Sequence, residues 1–314
     1  MRVAINSYTD SFLNQFNNLA SQQYNLQSQV STGLRVQNAS DDPNAMAKTL
    51  NLLAHRSQNA QYAKNVGALQ DRAGLVTNVL QSLQTTVSRA GEITTSAGSG
   101  TASKADLAAY ATEINSMIDD VIKQVNAKDT ASNNYLFGGT SLQNAPFSVT
   151  RDSNNQVVSV TYNGNNQTDQ GQIGENQYTS VDIPGANSTS SSPRGLITDQ
   201  SSGADLINHL ISLRFNLQSG NTAAITGTDA ANIQKDENNI TYQVANNGVM
   251  LNRLSTVSTY LSNQANSLDK GVSNESSADL ITTMVQLNRA QNGYQAALQS
   301  SAKIMQMSIL NYIS

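Results

Sequence analysis

The two ends of the chain place the tightest limits on its fold. Ile5, Phe12, Phe16, Leu19, Leu26 and Val30 hold the a and d positions of one heptad register, with Thr9 and Gln23 as polar interruptions. At the other end Leu280, Met284, Leu287, Tyr294, Leu298, Met305 and Tyr312 recur in steps of three, four and seven, which draws one apolar seam along a helix. Each seam demands a partner. Between Ile5 and Leu34 the only charge is Asp10, and from Leu280 onward the only charges are Arg289 and Lys303. Soluble coiled coils normally carry Lys and Glu beside the seam. Helices without them can be packed on several sides at once without burying an unpaired charge. The simplest reading pairs the two ends, and parallel and antiparallel arrangements are equally compatible with the pattern.

Between the ends lie two further registers. Val66, Leu69, Ala73, Val76, Leu80, Leu83, Val87 and Ala90 alternate threes and fours without a miss, inside a helix predicted from Ala45 to about Ala97. Such a helix is roughly 80 Å long. Ile233, Ile240, Val244, Leu251, Leu254, Leu261, Ala265 and Leu268 form the second, with Glu237, Asn247 and Ser258 as polar members, and are expected to lie against the first. Punctuation supports these bounds. Asp42-Pro43 reads as an N-cap followed by proline in the first turn, and Ser103 to Asp106 has capping-box spacing before a helix running to about Val125. Lys270-Gly271 and the polar stretch Ser273–Ser277 are expected to break the chain before the last helix.

Past Asn133 the period changes. Phe147–Val149, Val157–Tyr162 and Val181–Ile183 are short β-branched or aromatic runs, and Asn163-Gly164 is a hairpin signal. Helix resumes at Asp205, where Leu206, Leu210, Leu213 and Leu217 share a face. The fold class is therefore mainly α: an elongated antiparallel helical bundle or coiled coil built from both chain ends, with a small inserted β domain. Three parts are expected: residues 1–40 with 273–314 as a terminal coiled-coil assembly domain, 41–134 with 205–272 as a helical rod, and 135–204 as a small β-rich variable domain. The rod would pack through Val66, Leu69, Val76, Leu80, Leu83 and Val87 against Ile240, Val244, Leu251, Leu254, Leu261 and Leu268. The two terminal seams are the expected assembly interface.

Composition narrows the function. A net charge of -4 without a Lys/Arg cluster argues against a nucleic-acid or anionic-membrane surface. With no cysteine there are neither disulfides nor thiolate metal sites nor cysteine nucleophiles. The start Met1-Arg2-Val3-Ala4 leads into a polar helix without an apolar signal segment, so the expectation is a cytoplasmic chain or one exported without a cleaved signal. His55 and His209 lack a second ligand at metal spacing, and Asp41-Asp42 and Asp119-Asp120 are adjacent pairs that point apart on a helix. Gly98-Ser99-Gly100 follows a helix and lacks the Gly-Lys-Ser/Thr ending of a phosphate loop. Neither an enzyme nor a cofactor is expected.

Ser31-Thr32-Gly33-Leu34-Arg35-Val36 and Asn38-Ala39-Ser40-Asp41-Asp42-Pro43 resemble the segment that links the first two helices in the bacterial flagellin family. Tyr294-Gln295-Ala296-Ala297-Leu298-Gln299 and Ala302-Lys303-Ile304-Met305 are similar to that family's C-terminal helix. Asn134-Tyr135-Leu136-Phe137-Gly138-Gly139 and Ala145-Pro146-Phe147 resemble the branch of the family that joins hook to filament more than flagellin itself. The resemblance implies secretion through the flagellar export apparatus and residence in the extracellular flagellum. It also implies terminal helices that pack into concentric tubes, and these partners: the first hook–filament junction protein below, flagellin above, copies of the chain itself in a ring, and an export chaperone. A filament-forming flagellin is the alternative within the family, and a signalling coiled coil the one outside it.

Overall fold

The computed structural model describes residues 2–129, 132–141, 143–189 and 193–313, with side chains described between 10 and 303. The elements run α1 (Arg2–Thr32), α2 (Pro43–Gly98), α3 (Lys104–Val125), β1 (Phe147–Arg151), β2 (Val157–Tyr162), β3 (Gly171–Gly174), β4 (Gln177–Thr179), β5 (Thr198–Asp199), β6 (Ala204–Asp205), α4 (Leu206–Ser219), α5 (Thr222–Ala224), a π-helical turn (Ile225–Asp229), α6 (Ala230–Ser276) and α7 (Leu280–Ile313). They group into two compact units where the sequence suggests three parts. One unit holds residues 1–59 and 263–314, the other residues 60–262.

Residues 60–262 contain the main core. Val76, Leu80, Leu83 and Val87 of α2 meet Ile114, Ile118 and Val121 of α3, Leu206, Leu210 and Leu213 of α4, and Ile233 and Ile240 of α6. Burying each such side chain is worth about 1.5–3 kcal/mol. At the other rod positions Val66, Leu254 and Leu261 are buried, and Leu69, Val244 and Leu251 half-buried. Inside this seam Asn247 donates to the Ala73 carbonyl at 3.0 Å and to Thr77 Oγ1 at 2.8 Å, so the polar member is satisfied by the facing helix.

The strands form three separate two-stranded antiparallel sheets, β1-β2, β3-β4 and β5-β6. They have little core of their own. Phe137, Phe147, Val157, Leu196 and Ile197 bury in the same cluster as the helices, and Ile173 and Val181 bury beside Val66, Ala73, Leu254 and Leu261. Arg214, itself buried, ties α4 to this region, donating to Asn115 Oδ1 and to the Val157 carbonyl, both at 2.7 Å.

Three local expectations need correction. The β1-β2 connection runs through Asp152–Gln156, not Asn163-Gly164: Asp152 Oδ1 accepts from the backbone of Asn154 and Gln156, and Asn155 takes a positive φ of 60°. Asn163 lies beyond β2 and donates its N–H to the Pro146 carbonyl. Val181 and Ile183 are buried, but on irregular backbone and not on a strand. Burial there comes from the helices behind, which require apolar side chains without requiring a ladder. Finally, Lys270-Gly271 does not break α6, which runs on to Ser276. A Cβ on Gly271 would lie 3.2 Å from Leu52 Cδ1, so this glycine permits close helix packing within residues 1–59 and 263–314.

The caps hold as read. Asp42 Oδ1 accepts the Ala45 N–H at 3.0 Å ahead of α2. Ser103 and Asp106 form a reciprocal capping box on α3.

Candidate assembly interface

Residues 1–59 and 263–314 are built around the pairing of α1 with α7. The connection between α1 and α2 sets its orientation. Gly33, at φ 71°, ends α1 with its N–H on the Gln29 carbonyl. Its own carbonyl accepts the Ala278 N–H at 2.9 Å, Arg35 N–H reaches the Ser276 carbonyl at 2.7 Å, and Leu34 pairs with Ser277 as an antiparallel bridge. The end of α1 is thus stitched to the start of α7, and the two helices run antiparallel.

Charged groups cluster at this corner. The Arg35 guanidinium bridges Asp42 Oδ2 at 3.1 Å and the Glu275 carbonyl at 2.8 Å. Lys48 pairs with Glu275 at 3.3 Å and Arg56 with Asp269 at 2.7 Å. Asp41 accepts from the backbone N–H groups of Asn38 and Gln37, which hold its carboxyl below the ordinary range. The Ala45 N–H and then Arg35 do the same for Asp42. Asp279 caps α7, and hydrogen bonds from the Thr282 hydroxyl and backbone lower it likewise. These carboxylates serve as caps and corner braces.

Along α1 the predicted register faces inward: Leu26 is buried, and Phe12, Phe16, Leu19 and Val30 are half-buried. The Phe16 ring sits 4.7 Å from that of Tyr294, tilted by 31°. Leu19 approaches Gly293, where a Cβ would lie 3.9 Å from Leu19 Cδ2. On α7 the inward face differs from the expected one. Thr283 and Ala290 are buried, and Leu287, Tyr294, Ala297 and Ser301 are half-buried, a register that steps alternately by four and three. Of the predicted α7 residues whose side chains are described, Leu287 and Tyr294 belong to it and Leu280, Met284 and Leu298 do not. Leu280, Met284 and Leu298 are exposed at 44%, 51% and 45%, beside Ile281 and Val285, which are also exposed. The side chains of Ile5, Met305 and Tyr312 lie outside the described residues.

The small residues explain the rotation. Ala290, Gly293 and Ala297 leave room for the α1 rings, whereas a face of Leu and Met would hold the helices apart. Ranking positions by size therefore picks a stripe other than the one that packs on α1. The result is a helix that is apolar on two sides, with one side covered by α1 and the other open.

The second predicted set, the rod residues, is brought together within residues 60–262, apart from Leu268, which is half-buried in the other unit. Tertiary contact also supplies a partner that spacing could not show: His209 Nδ1 lies 2.8 Å from Asp236 Oδ2. Among the described residues no cluster of three or more His, Asp and Glu side chains could hold a metal ion, and no helix is long and apolar enough to cross a membrane.

Residues 3–141 match the bacterial flagellin N-terminal helical region. The chain is 31% identical over 147 residues to flagellar hook-associated protein 3 of Salmonella typhimurium, covering 47% of this chain and 46% of that protein. It is 35% identical over 120 residues to the Escherichia coli protein of the same name, covering 38% of each. The chain thus spans less than half the length of these two relatives. In fold it is similar to a flagellar hook-associated protein structure from Vibrio parahaemolyticus, with a TM-score of 0.64 at 21% identity over 76% of this chain and 100% of that one. It is also similar to FlgL of Bacillus cereus, with a TM-score of 0.57 at 20% identity over 71% and 99%. Residues 3–141 are thus similar to the N-terminal helical region of bacterial flagellins, and the chain is similar to flagellar hook-associated protein 3.

Proposed function

We propose that this chain is a structural protein of the bacterial flagellum, joining hook to filament through the self-assembly of its terminal helices after export. One observation carries the reading: the antiparallel α1-α7 pair leaves large apolar side chains exposed, at Leu280, Ile281, Met284, Val285 and Leu298, along a helix whose only charges are Arg289 and Lys303. Several large apolar side chains left in water along one helix are the mark of an interaction site. The corner braces at Arg35, Asp42 and Glu275 hold the pair in register, so the open stripe is presented by an ordered helix. The names of the sequence relatives support the hook end of the flagellum over the filament.

On this reading the partners are the first hook–filament junction protein, flagellin, copies of the chain in a ring, and an export chaperone that covers the terminal helix in the cytoplasm. The final location is extracellular, reached through the flagellar export apparatus. The role is mechanical, with no chemical step and no cofactor.

The test is electron microscopy of cells lacking the gene, with flagellin assayed in the medium. Bare hooks and flagellin lost to the medium are expected. Normal filaments would overturn the junction role and leave a redundant flagellin or a role outside the flagellum as the reading.

A further inference from the structure

The segment that returns from the strands to α4 is held to α6 by polar side chains acting on its backbone. Asn239 Nδ2 donates to the Gly195 and Leu196 carbonyls, both at 3.0 Å, and Gln243 Nε2 reaches the Arg194 carbonyl at 3.2 Å. One turn earlier on the same face, Asp236 Oδ1 accepts the backbone N–H of Asp205 at 2.9 Å. Its other oxygen meets His209 Nδ1 at 2.8 Å, across from the first turn of α4. Asp236, Asn239 and Gln243 are all buried, and the Asp236 side chain is 0% exposed. Two of these three clamps are neutral amides. The third is a carboxylate, and its side-chain partner is a histidine.

We propose that His209 and Asp236 form a pH-sensitive latch on the β5-β6 hairpin, closed while the pair holds one proton and loosened as that proton is lost. With the proton, the pair is either a neutral acid beside a neutral imidazole or an ion pair, and in both cases its net charge is zero. Without it, a carboxylate that keeps the Asp205 N–H but has no counter-charge remains in a buried site, which is the unfavourable state. Burial already pushes the Asp236 carboxyl up from its ordinary range; the His209 hydrogen bond opposes that rise and the nearby Asp205 carboxylate adds to it.

The other charged groups around the pair are committed elsewhere. Asp205 accepts from Thr198 Oγ1 and Asn208 Nδ2, and Asp199 from Asn187, Ser201 and Ser202. On α6, Lys235 donates to Asn232 and Glu237 accepts from Gln234, while Asp229, before it, accepts from Ser212 and Asn216. Arg194 lies over the Tyr242 ring at 4.2 Å. No second cation pairs with Asp236 among the described residues, so loss of the proton has no local replacement. Because the closed state holds a proton that the open state releases, closure weakens as pH rises.

The reporter is the Asp205 amide, whose hydrogen goes to Asp236 itself. Amide exchange on the full chain, corrected for intrinsic rate, should lose roughly tenfold protection at Asp205 as pH rises from the ordinary carboxylate range, the effect of about one unit of proton linkage. The β1-β2 hairpin should show no such loss. In His209→Gln, which keeps a donor but cannot titrate, the slope should vanish, and Asp236→Asn should flatten it as well. A flat wild-type profile overturns the proposal without reference to any variant. A His209→Gln or Asp236→Asn protein that keeps the wild-type slope overturns it too.

Discussion

The register of α2 and the register of α1 read alike in sequence, yet they end in different surroundings. In α2, Val76, Leu80, Leu83 and Val87 are closed off by α3, α4 and α6 and are essentially fully buried. In α1, Phe12, Phe16, Leu19 and Val30 meet α7 and stay half-buried; among the described side chains of α1 and α7, Leu26 and Ala290 are the buried hydrophobic ones. A heptad reports that one stripe wants cover. How many neighbours arrive is decided elsewhere in the chain, and a helix pair with one partner each keeps surface available for other molecules.

The sharpest test of this contrast sets a core residue against an open one. Phe137→Ala should destabilise residues 60–262 by about 3–5 kcal/mol, read as a lowered urea midpoint, because that ring is fully buried where strands and helices share a core. A loss under about 1 kcal/mol would mean that the strands form an independent layer. Leu298→Asp, at a half-exposed site on α7, should change the stability of the free chain by no more than about 0.5 kcal/mol. Incorporation into flagella should nevertheless be lost, since assembly would bury an unpaired carboxylate. Normal filament attachment by this variant would show that the open face of α7 is not used.

Smaller effects probe the individual contacts. A double-mutant cycle on Phe16 and Tyr294 should give a coupling of about 0.5–1.5 kcal/mol beyond the loss of area, measured on the unfolding of residues 1–59 and 263–314. Zero coupling would separate the rings. Ser103→Ala should cost about 1 kcal/mol by thermal melting through loss of the α3 cap.

The acid limb of stability provides the mildest test. Burial pushes the Asp199 carboxyl up, but hydrogen bonds from Ser201, Ser202 and Asn187 outweigh it and hold the group below the ordinary range. The folded value is the lower one. Its contribution is therefore present above the ordinary carboxylate range and is lost as pH falls through the folded value. Asp199→Asn should flatten the decline of melting temperature between pH 5 and 2.5, opposite in sign to the loosening expected of Asp236 as pH rises. An unchanged slope would remove Asp199 from the acid response.

The candidate interface was half legible. On α1 the described large residues at the predicted a and d positions, Phe12, Phe16, Leu19, Leu26 and Val30, are turned inward. On α7 size misled, because the covered stripe is Thr283, Leu287, Ala290, Tyr294, Ala297 and Ser301, whose value lies in the space they leave for aromatic rings. That stripe has the same period as the stripe of larger residues beside it. Periodicity cannot choose between two faces of one helix when both are uncharged.

Local chemistry was determined by the sequence alone. Asp42-Pro43 and Ser103 to Asp106 mark helix starts because capping depends on a few neighbouring atoms. The β1-β2 strands and the a/d registers follow from periods of two and three and a half. Only the tertiary structure decided the antiparallel sense of α1 and α7, the continuation of α6 through Gly271, and the meeting of His209 with Asp236. Each of these depends on groups distant in sequence, and their cost or benefit exists only once the chain has brought them together.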